Sequence, residues 1–357
     1  MKLQQLVDKL KLQIEDPKIK NLVFWGAGRQ LENFTKKYCG EYGLLRKPDY
    51  ICESTRDISE NTINGIPVIK VDELRNLHAK DTLIIVTAGI LELYGQVIKN
   101  ELYYHRIIHR RSLEILLALP NYIEEIKLNL LQFEDDESRD IYTKNLENTV
   151  LGNFWDTEYY SYPPYFGNKL VPDLKNDQIV VFAGAFNGKH IENMLNNNSS
   201  CNIEAFEPTK IWFEYLEKKF KANKKINIRN AVLWENETIL NFDETSDTLG
   251  LDAHIDLEGH QGVKVQSFSI DDLFLGTKVQ QIILDVEGTE QKVILGARNL
   301  IRAQLPILTV CIYHNIDDYV KIIPLIKEVS EDKYIYFLRQ HSSISIIETV
   351  LYAIPKK

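Results

Sequence analysis

The sequence predicts an α/β protein of two successive domains, each built on a largely parallel sheet. Three observations carry this. The chain has 357 residues, more than one hydrophobic core usually organises and enough for two. Short apolar runs alternate with amphipathic stretches, the strand-helix-strand order that builds parallel sheets. That order also starts twice, at Asn21 and again at Gln178. The expected organisation is an N-terminal domain over 1–109, a helical and aromatic connector over 110–177 and a C-terminal domain over 178–357.

In the first domain an amphipathic stretch over 1–14 leads into Asn21-Leu22-Val23-Phe24-Trp25, a buried-strand signature that ends on Gly26-Ala27-Gly28-Arg29. A helical segment runs to about Tyr38, and further strands are expected at Asp49-Tyr50-Ile51-Cys52, closing on Glu53, and at Thr82-Leu83-Ile84-Ile85-Val86. Gly26, Gly28 and Glu53 form a partial dinucleotide fingerprint without its third glycine. With Asn64-Gly65-Ile66-Pro67-Val68-Ile69 they resemble the small nucleotide-binding-like, Rossmann-like domains at the front of several sugar-modifying proteins. Such a domain holds a nucleotide sugar or dinucleotide, or serves without a ligand in docking or dimerisation.

The connector is charged, with Glu134-Asp135-Asp136-Glu137, and then aromatic, with Trp155, Tyr159, Tyr160, Tyr162, Tyr165 and Phe166. Those rings could stack on a sugar, though packing between domains is the plainer reading. From Gln178 the second series begins: Gln178-Ile179-Val180-Val181-Phe182, Ile203 to Phe206, Asn227 to Arg229, Gln281 to Leu284, Ile307 to Ile312, Tyr334 to Leu338 and Thr349 to Ile354. The last two lie together without a clear helix between them, which predicts an antiparallel finish. Asn196-Asn197-Asn198-Ser199-Ser200 reads as a loop.

The residues that carry chemistry follow these strands. Ala183-Gly184-Ala185-Phe186-Asn187-Gly188 is a loop whose glycines let backbone approach a ligand ahead of a helix N-terminus. An ordinary tight turn would also use them. Glu207, before Pro208, ends the next strand about twenty residues on, the position from which an acid accepts both ribose hydroxyls of a nucleoside. A solvated acid before a helix is the plainer alternative. Asp285-Val286-Glu287-Gly288-Thr289-Glu290 sets three carboxylates at the mouth of the expected central strand. Asp285 and Glu287 are the candidates to orient a ligand amine or to act as base, whereas Glu290 fits the start of a helix over Gln291 to Arg302.

Composition narrows the class. A net charge of −9 disfavours nucleic acid as a partner, and 44% hydrophobic residues exclude a disordered chain. The four cysteines lack any zinc or disulfide spacing, no apolar run is long enough to span a membrane, and the start lacks a secretion signal. The expected location is the cytoplasm. Oligomeric state is open, a homo-oligomer included.

The ordered set GAFNG, AFEP, NAVLW, SIDDL and LDVEGTE resembles the FkbM-type methyltransferases. Val310-Cys311-Ile312-Tyr313-His314, Phe337-Leu338-Arg339-Gln340-His341-Ser342 and Glu348-Thr349-Val350-Leu351-Tyr352-Ala353 look like the closing segments of one branch. In that branch an acidic residue-Ser-Arg segment, here Glu137-Ser138-Arg139, precedes the catalytic domain. The resemblance covers roughly 110 to 357. It implies an enzyme with a seven-stranded sheet, the last strand antiparallel, using S-adenosylmethionine to methylate an oxygen of a sugar, glycan precursor or related metabolite. By position Ala183, Gly184, Ala185, Asn187 and Gly188 would line the methionine portion, Glu207 with Pro208 the ribose, Ala231 and Val232 the adenine. Asp285 would lie beside the transferred methyl. Tyr165, Tyr313 and His314 would face the acceptor, with His314 a candidate base. No metal is demanded, although Asp285, Glu287 and His314 suit a divalent cation. Family members usually carry aspartate two residues before the first glycine, where this chain has Phe182; a noncatalytic glycan-binding descendant is the alternative. A nicotinamide oxidoreductase fits less well, because no Tyr-x-x-x-Lys pair accompanies the incomplete glycine motif.

Overall fold

In the computed structural model, which describes residues 3–26, 30–53, 61–87, 102, 105–151, 158–161, 164–166, 168–171, 178–196, 201–244, 254–256, 262–343 and 347–357, the chain divides into two units. One comprises Met1–Asn121 with Leu146–Phe154, the other Tyr122–Asn145 with Trp155–Lys357.

In the first unit, β1 (Asn21–Trp25), β2 (Tyr50–Glu53), β3 (Thr62–Ile63), β4 (Ile66–Lys70), β5 (Thr82–Val86) and β6 (Arg106–His109) form a six-stranded sheet in the order β3-β4-β2-β1-β5-β6. All pairs are parallel except β3 with β4. That pair is a hairpin because Asn64 and Gly65, with φ of 51° and 77°, supply the left-handed pair a tight turn needs. The sequence reading names three of these strands. β3 and β6 are too short for a periodic signal, and Pro67 disguises β4. Val23, Trp25, Cys52, Ile84 and Val86 alternate with their neighbours to pack one face of this sheet.

The second unit carries β7 (Ile179–Ala183), β8 (Asn202–Phe206), β9 (Ile226–Arg229), β14 (Val279–Leu284), β15 (Ile307–Cys311), β16 (Tyr334–Gln340) and β17 (Thr349–Pro355) in one seven-stranded sheet. Its order is β16-β17-β15-β14-β7-β8-β9. β17 runs antiparallel to both β15 and β16, and the remaining pairs are parallel. The antiparallel finish is therefore as expected. Chain order reverses between β7 and β14, and ligands of open α/β sheets bind at the carboxyl ends beside such a reversal.

Two features depart from the sequence reading. Residues Val232–Leu233, Thr238–Asp243, His254–Ile255 and Val263–Phe268 (β10 to β13) make a separate four-stranded sheet, order β10-β13-β11-β12. Its strands are short or half exposed, so no continuous apolar run marks them. Val232, Trp234, Phe242, Ile255 and Val265 form its small buried cluster, with Leu240 packed against it. The helix expected over Gln291 to Arg302 is instead two, Glu290–Gly296 and Arg298–Gln304, broken at Ala297. Gly296 lies so near the Trp234 carbonyl that a Cβ would come within 2.0 Å of its oxygen.

The acidic-Ser-Arg segment has a structural task. The first turn of the helix Asp136–Leu151 docks on β16: Arg339 Nη2 donates to Asp135 Oδ2 at 2.6 Å, and Leu338 N donates to the fully buried Ser138 Oγ at 2.8 Å. Arg139 donates to the Phe133 carbonyl and the Asp136 carboxylate.

Candidate active site

β7, β8, β14 and β15 all end at the same edge of the sheet, and each passes a functional residue to it. After β7, Gly184 has φ of 83°, and its N–H shares the Phe206 carbonyl with Ala185 N–H. A Cβ here would lie 1.8 Å from the Asp285 backbone oxygen, so this position admits only glycine. Gly188 (φ 72°) shares the left-handed backbone, but a Cβ there would meet side-chain atoms of Leu216 and Phe220 of the helix Lys210–Phe220. Phe186 also has positive φ (46°), which turns its N–H onto Glu207.

Glu207 is 4% exposed at the carboxyl end of β8. Oε2 accepts from Phe186 N–H at 2.7 Å and Oε1 from Thr209 N–H at 2.9 Å. Burial raises its pKa, and the two backbone donors oppose that rise. Asn230 Nδ2 bridges the Glu207 and Pro208 carbonyls and so ties this turn to the segment carrying Ala231 and Val232, both buried. Asn187 caps locally, its Oδ1 accepting from Lys189 N–H at 3.0 Å.

The second half of the site surrounds Asp285. Its N–H donates to the Ala183 carbonyl at 3.1 Å. Oδ2 accepts from Tyr165 OH at 3.1 Å and Oδ1 from Tyr313 OH at 3.2 Å, and His314 Nε2 lies 3.3 Å from Oδ1. Burial alone would raise the Asp285 pKa. The close contact and charge of His314 outweigh it and hold the Asp285 pKa below the usual carboxylate value. Glu287, with φ of 53°, leads the turn closed by Thr289 N–H on the Val286 carbonyl, and its carboxylate stands 3.6 Å from His314 Nε2. Glu290 starts its helix as expected and is also fully buried, with Oε1 accepting from Val286 N–H and 2.8 Å from His314 Nδ1.

His314 thus stands among three carboxylates. Burial would lower its pKa, but Glu290, Glu287 and the Asp285 contact raise it well above that of an ordinary histidine. The ring distances are those of ion pairs, although neither ring N–H is aligned for a hydrogen bond. An imidazolium in this setting offsets one of the carboxylate charges and has no lone pair with which to take a proton. Among the described residues no cluster has the arrangement to hold a metal ion.

Tyr165 is fully buried with φ of 64°, a strained conformation for an aromatic residue and one typical of functional sites. Its backbone is gripped on both sides, by Tyr352 OH on its N–H and Gln281 Nε2 on its carbonyl, each at 2.9 Å. Its ring meets Phe182 edge to face at 5.9 Å and His190 at 4.7 Å. Phe182 therefore belongs to an apolar cluster under the site. Four neighbours went unpredicted: Glu348, 3.5 Å from Tyr165 OH; Cys311, also 3.5 Å from it; His190; and Asp318. Of the other connector aromatics, Tyr159 OH donates to Asp140 and Tyr160 is half exposed, while Trp155 and Tyr162 lie outside the described residues. In the N-terminal unit, Gly26 (φ 118°) and the buried Glu53 stand at the ends of the adjacent strands β1 and β2. Gly28 lies outside the described residues, as do Asn197 to Ser200.

Asp318 sits behind this cluster, fully buried, accepting from Gln291 Nε2 at 2.9 Å and Asn315 Nδ2 at 2.6 Å. Burial, and then the charge of Glu290, push its pKa up to about 8. An acid with a raised folded-state pKa keeps its proton where the unfolded chain has lost it. Stability therefore falls as pH rises from about 4 towards about 8. Thermal melts should show the wild-type Tm falling between pH 5 and 8 and that of Asp318→Asn falling clearly less; parallel falls would refute the assignment.

With this geometry in place, comparison with known proteins shows what the region is similar to. Residues 183–338 match the methyltransferase FkbM domain. The FkbM methyltransferase of Methylobacillus flagellatus KT has a similar solved structure, 17% identical with a TM-score of 0.62, the match covering 99% of each chain. Aeropyrum pernix fibrillarin, solved with natively bound S-adenosyl-L-methionine, aligns at 11% identity and a TM-score of 0.35 over 53% of this chain and 70% of its own. No curated protein matches the chain. The FkbM match begins at Ala183, ends at Leu338, and contains Gly184, Glu207, Asp285 and His314. Tyr165 and Glu348 lie outside it. Among the described residues no helix is long and apolar enough to cross a membrane.

Proposed function

We propose that the C-terminal unit is an S-adenosylmethionine-dependent methyltransferase acting on a hydroxyl of a sugar, glycan precursor or related metabolite. The observation that carries this is Glu207, a buried carboxylate at the end of β8 within an FkbM domain. Each of its oxygens accepts one backbone N–H, the Thr209 side chain also stands beside the carboxylate, and the lone pairs that remain can receive hydrogens of a ribose diol. The cofactor fits this donor and acceptor set. Ala183, Gly184, Ala185, Asn187 and Gly188 would flank its methionine portion through backbone groups, Glu207 and Pro208 its ribose, and Ala231 and Val232 its base. Phe182 offers no charge to the methionine amine, which leaves Asp285 as the acid for that end.

When bound, S-adenosylmethionine supplies a methyl group already activated on a sulfonium. The protein then has to align the acceptor and take up one proton. Asp285 keeps a fixed negative charge, held by two tyrosine hydroxyls and His314. Tyr165, Tyr313 and His314 form the wall facing an acceptor. For the N-terminal unit we infer a nucleotide ligand at Gly26 and Glu53, expected as a rise in Tm with a nucleotide sugar that Glu53→Ala abolishes.

The test is calorimetric titration with S-adenosylmethionine and S-adenosylhomocysteine, followed by assay of S-adenosylhomocysteine release over a set of sugar acceptors. Saturable binding and turnover are expected. Absence of binding would favour the noncatalytic alternative, with Phe182 as its mark.

A further inference from the structure

Resting on that function, we propose that Glu348 is the proton-exchanging group of the site, the carboxylate that takes the acceptor's proton, with Asp285 as its permanently charged partner and Tyr165 OH between them. The geometry is that of two carboxyl groups about one hydroxyl. Tyr165 OH lies 3.1 Å from Asp285 Oδ2 and 3.5 Å from Glu348 Oε2. It has a single hydrogen, so it can satisfy only one of them. Asp285, at the shorter distance, takes the larger share of it and also has the Tyr313 hydroxyl and the charge of His314 beside it, whereas Tyr165 OH is the donor nearest Glu348. Glu348 is left as the carboxyl with the least support for a charge. Its backbone, like that of Tyr165, is held at positive φ (55° and 64°), as expected of residues fixed by the needs of a site.

The other groups facing this point are poor proton acceptors. His314 already carries its proton, and burial pushes the hydroxyls of Tyr165 and Tyr313 and the thiol of Cys311 far from ionisation. Burial keeps His190 neutral, but its ring packs against Tyr165, and Glu287 faces His314 from the outer side. Burial and then the Asp285 charge push Glu348 up to about 7, while His314 and the Tyr165 hydroxyl oppose the rise. Two carboxyl groups whose surroundings drive their pKa values apart divide the work between them: one holds charge, the other moves a proton. In the transfer, the acceptor's O–H proton bonds to Glu348. The oxygen's electron pair forms the new bond to the methyl carbon, and the carbon–sulfur pair returns to sulfur.

The test has two arms on the full chain. Carbon-13 NMR with carboxyl-labelled glutamate should show a resonance titrating near neutrality that is lost in Glu348→Gln and moves to higher pH in Tyr165→Phe, which removes the opposing hydroxyl. Calorimetry with S-adenosylmethionine at pH 7 in phosphate and in Tris should then show release of about half a proton per cation bound, absent in Glu348→Gln and smaller with uncharged-sulfur S-adenosylhomocysteine. A glutamate titration unaffected by either substitution, or equal proton release in Glu348→Gln, overturns the proposal. Wild-type protein that binds no S-adenosylmethionine overturns the methyltransferase reading itself, whatever the NMR arm shows.

Discussion

Glu207→Ala is expected to weaken S-adenosylmethionine binding by about a hundredfold or more. A hydrogen bond to a buried charge contributes roughly 1.5–3 kcal/mol, and each 1.4 kcal/mol is about a factor of ten, so two ribose bonds to one carboxylate account for about that loss. Alanine also strips the acceptors from Phe186 N–H and Thr209 N–H, which sit 2.7 and 2.9 Å from the carboxylate and shape the glycine loop. Glu207→Gln keeps one acceptor oxygen and should fall between alanine and wild type. Calorimetric titration of the three proteins gives the order directly. Equal affinity in all three would mean that the ribose lies elsewhere and that Glu207 only braces the loop.

The parts of this site that were legible in the sequence are those on the strands and the turns immediately after them. A buried parallel strand leaves an unbroken apolar run, and the residue that follows it is delivered to the carboxyl edge of the sheet. Gly184, Glu207 and Asp285 could be located on that ground alone. Tyr165 was placed at the site only by the family resemblance and Glu348 not at all, because each lies in irregular chain far from Asp285 in sequence, and only folding brings the Tyr165 hydroxyl to 3.1 Å from Asp285 and 3.5 Å from Glu348. Asp318 was hidden for a different reason. Acids in the first turn of a helix are usually solvated, and nothing in Ile316-Asp317-Asp318-Tyr319 says which one is buried. The small sheet of β10 to β13 shows the same limit at the level of fold: two-residue strands carry no period. His314 marks a further boundary. Its type suggested a base, but three neighbouring carboxylates decide its protonation, and that depends on distances between elements and not on the residue itself.

Gly184→Ala should be the most damaging single-methyl change in the second unit. The added Cβ would lie 1.8 Å from the Asp285 oxygen and 2.9 Å from its carbonyl carbon, and both are backbone atoms that cannot swing aside. The φ of 83° adds its own cost for any residue with a Cβ. Overpacking of about 1–3 kcal/mol and a left-handed penalty of about 1–2 kcal/mol together give roughly 3 kcal/mol, a large part of the 5–15 kcal/mol that holds a typical domain. The strain also falls on the link between β7 and β14, where Asp285 N–H meets the Ala183 carbonyl, so relief would displace Asp285 from Tyr165 and Tyr313. A variant that still folds should thus bind S-adenosylmethionine poorly. Gly276→Ala is the control: a Cβ there meets nothing within 4 Å, and the denaturation midpoint should barely move. If Gly184→Ala unfolds at the same denaturant concentration as Gly276→Ala, the glycine loop does not abut Asp285, and the two halves of the site are not joined as described.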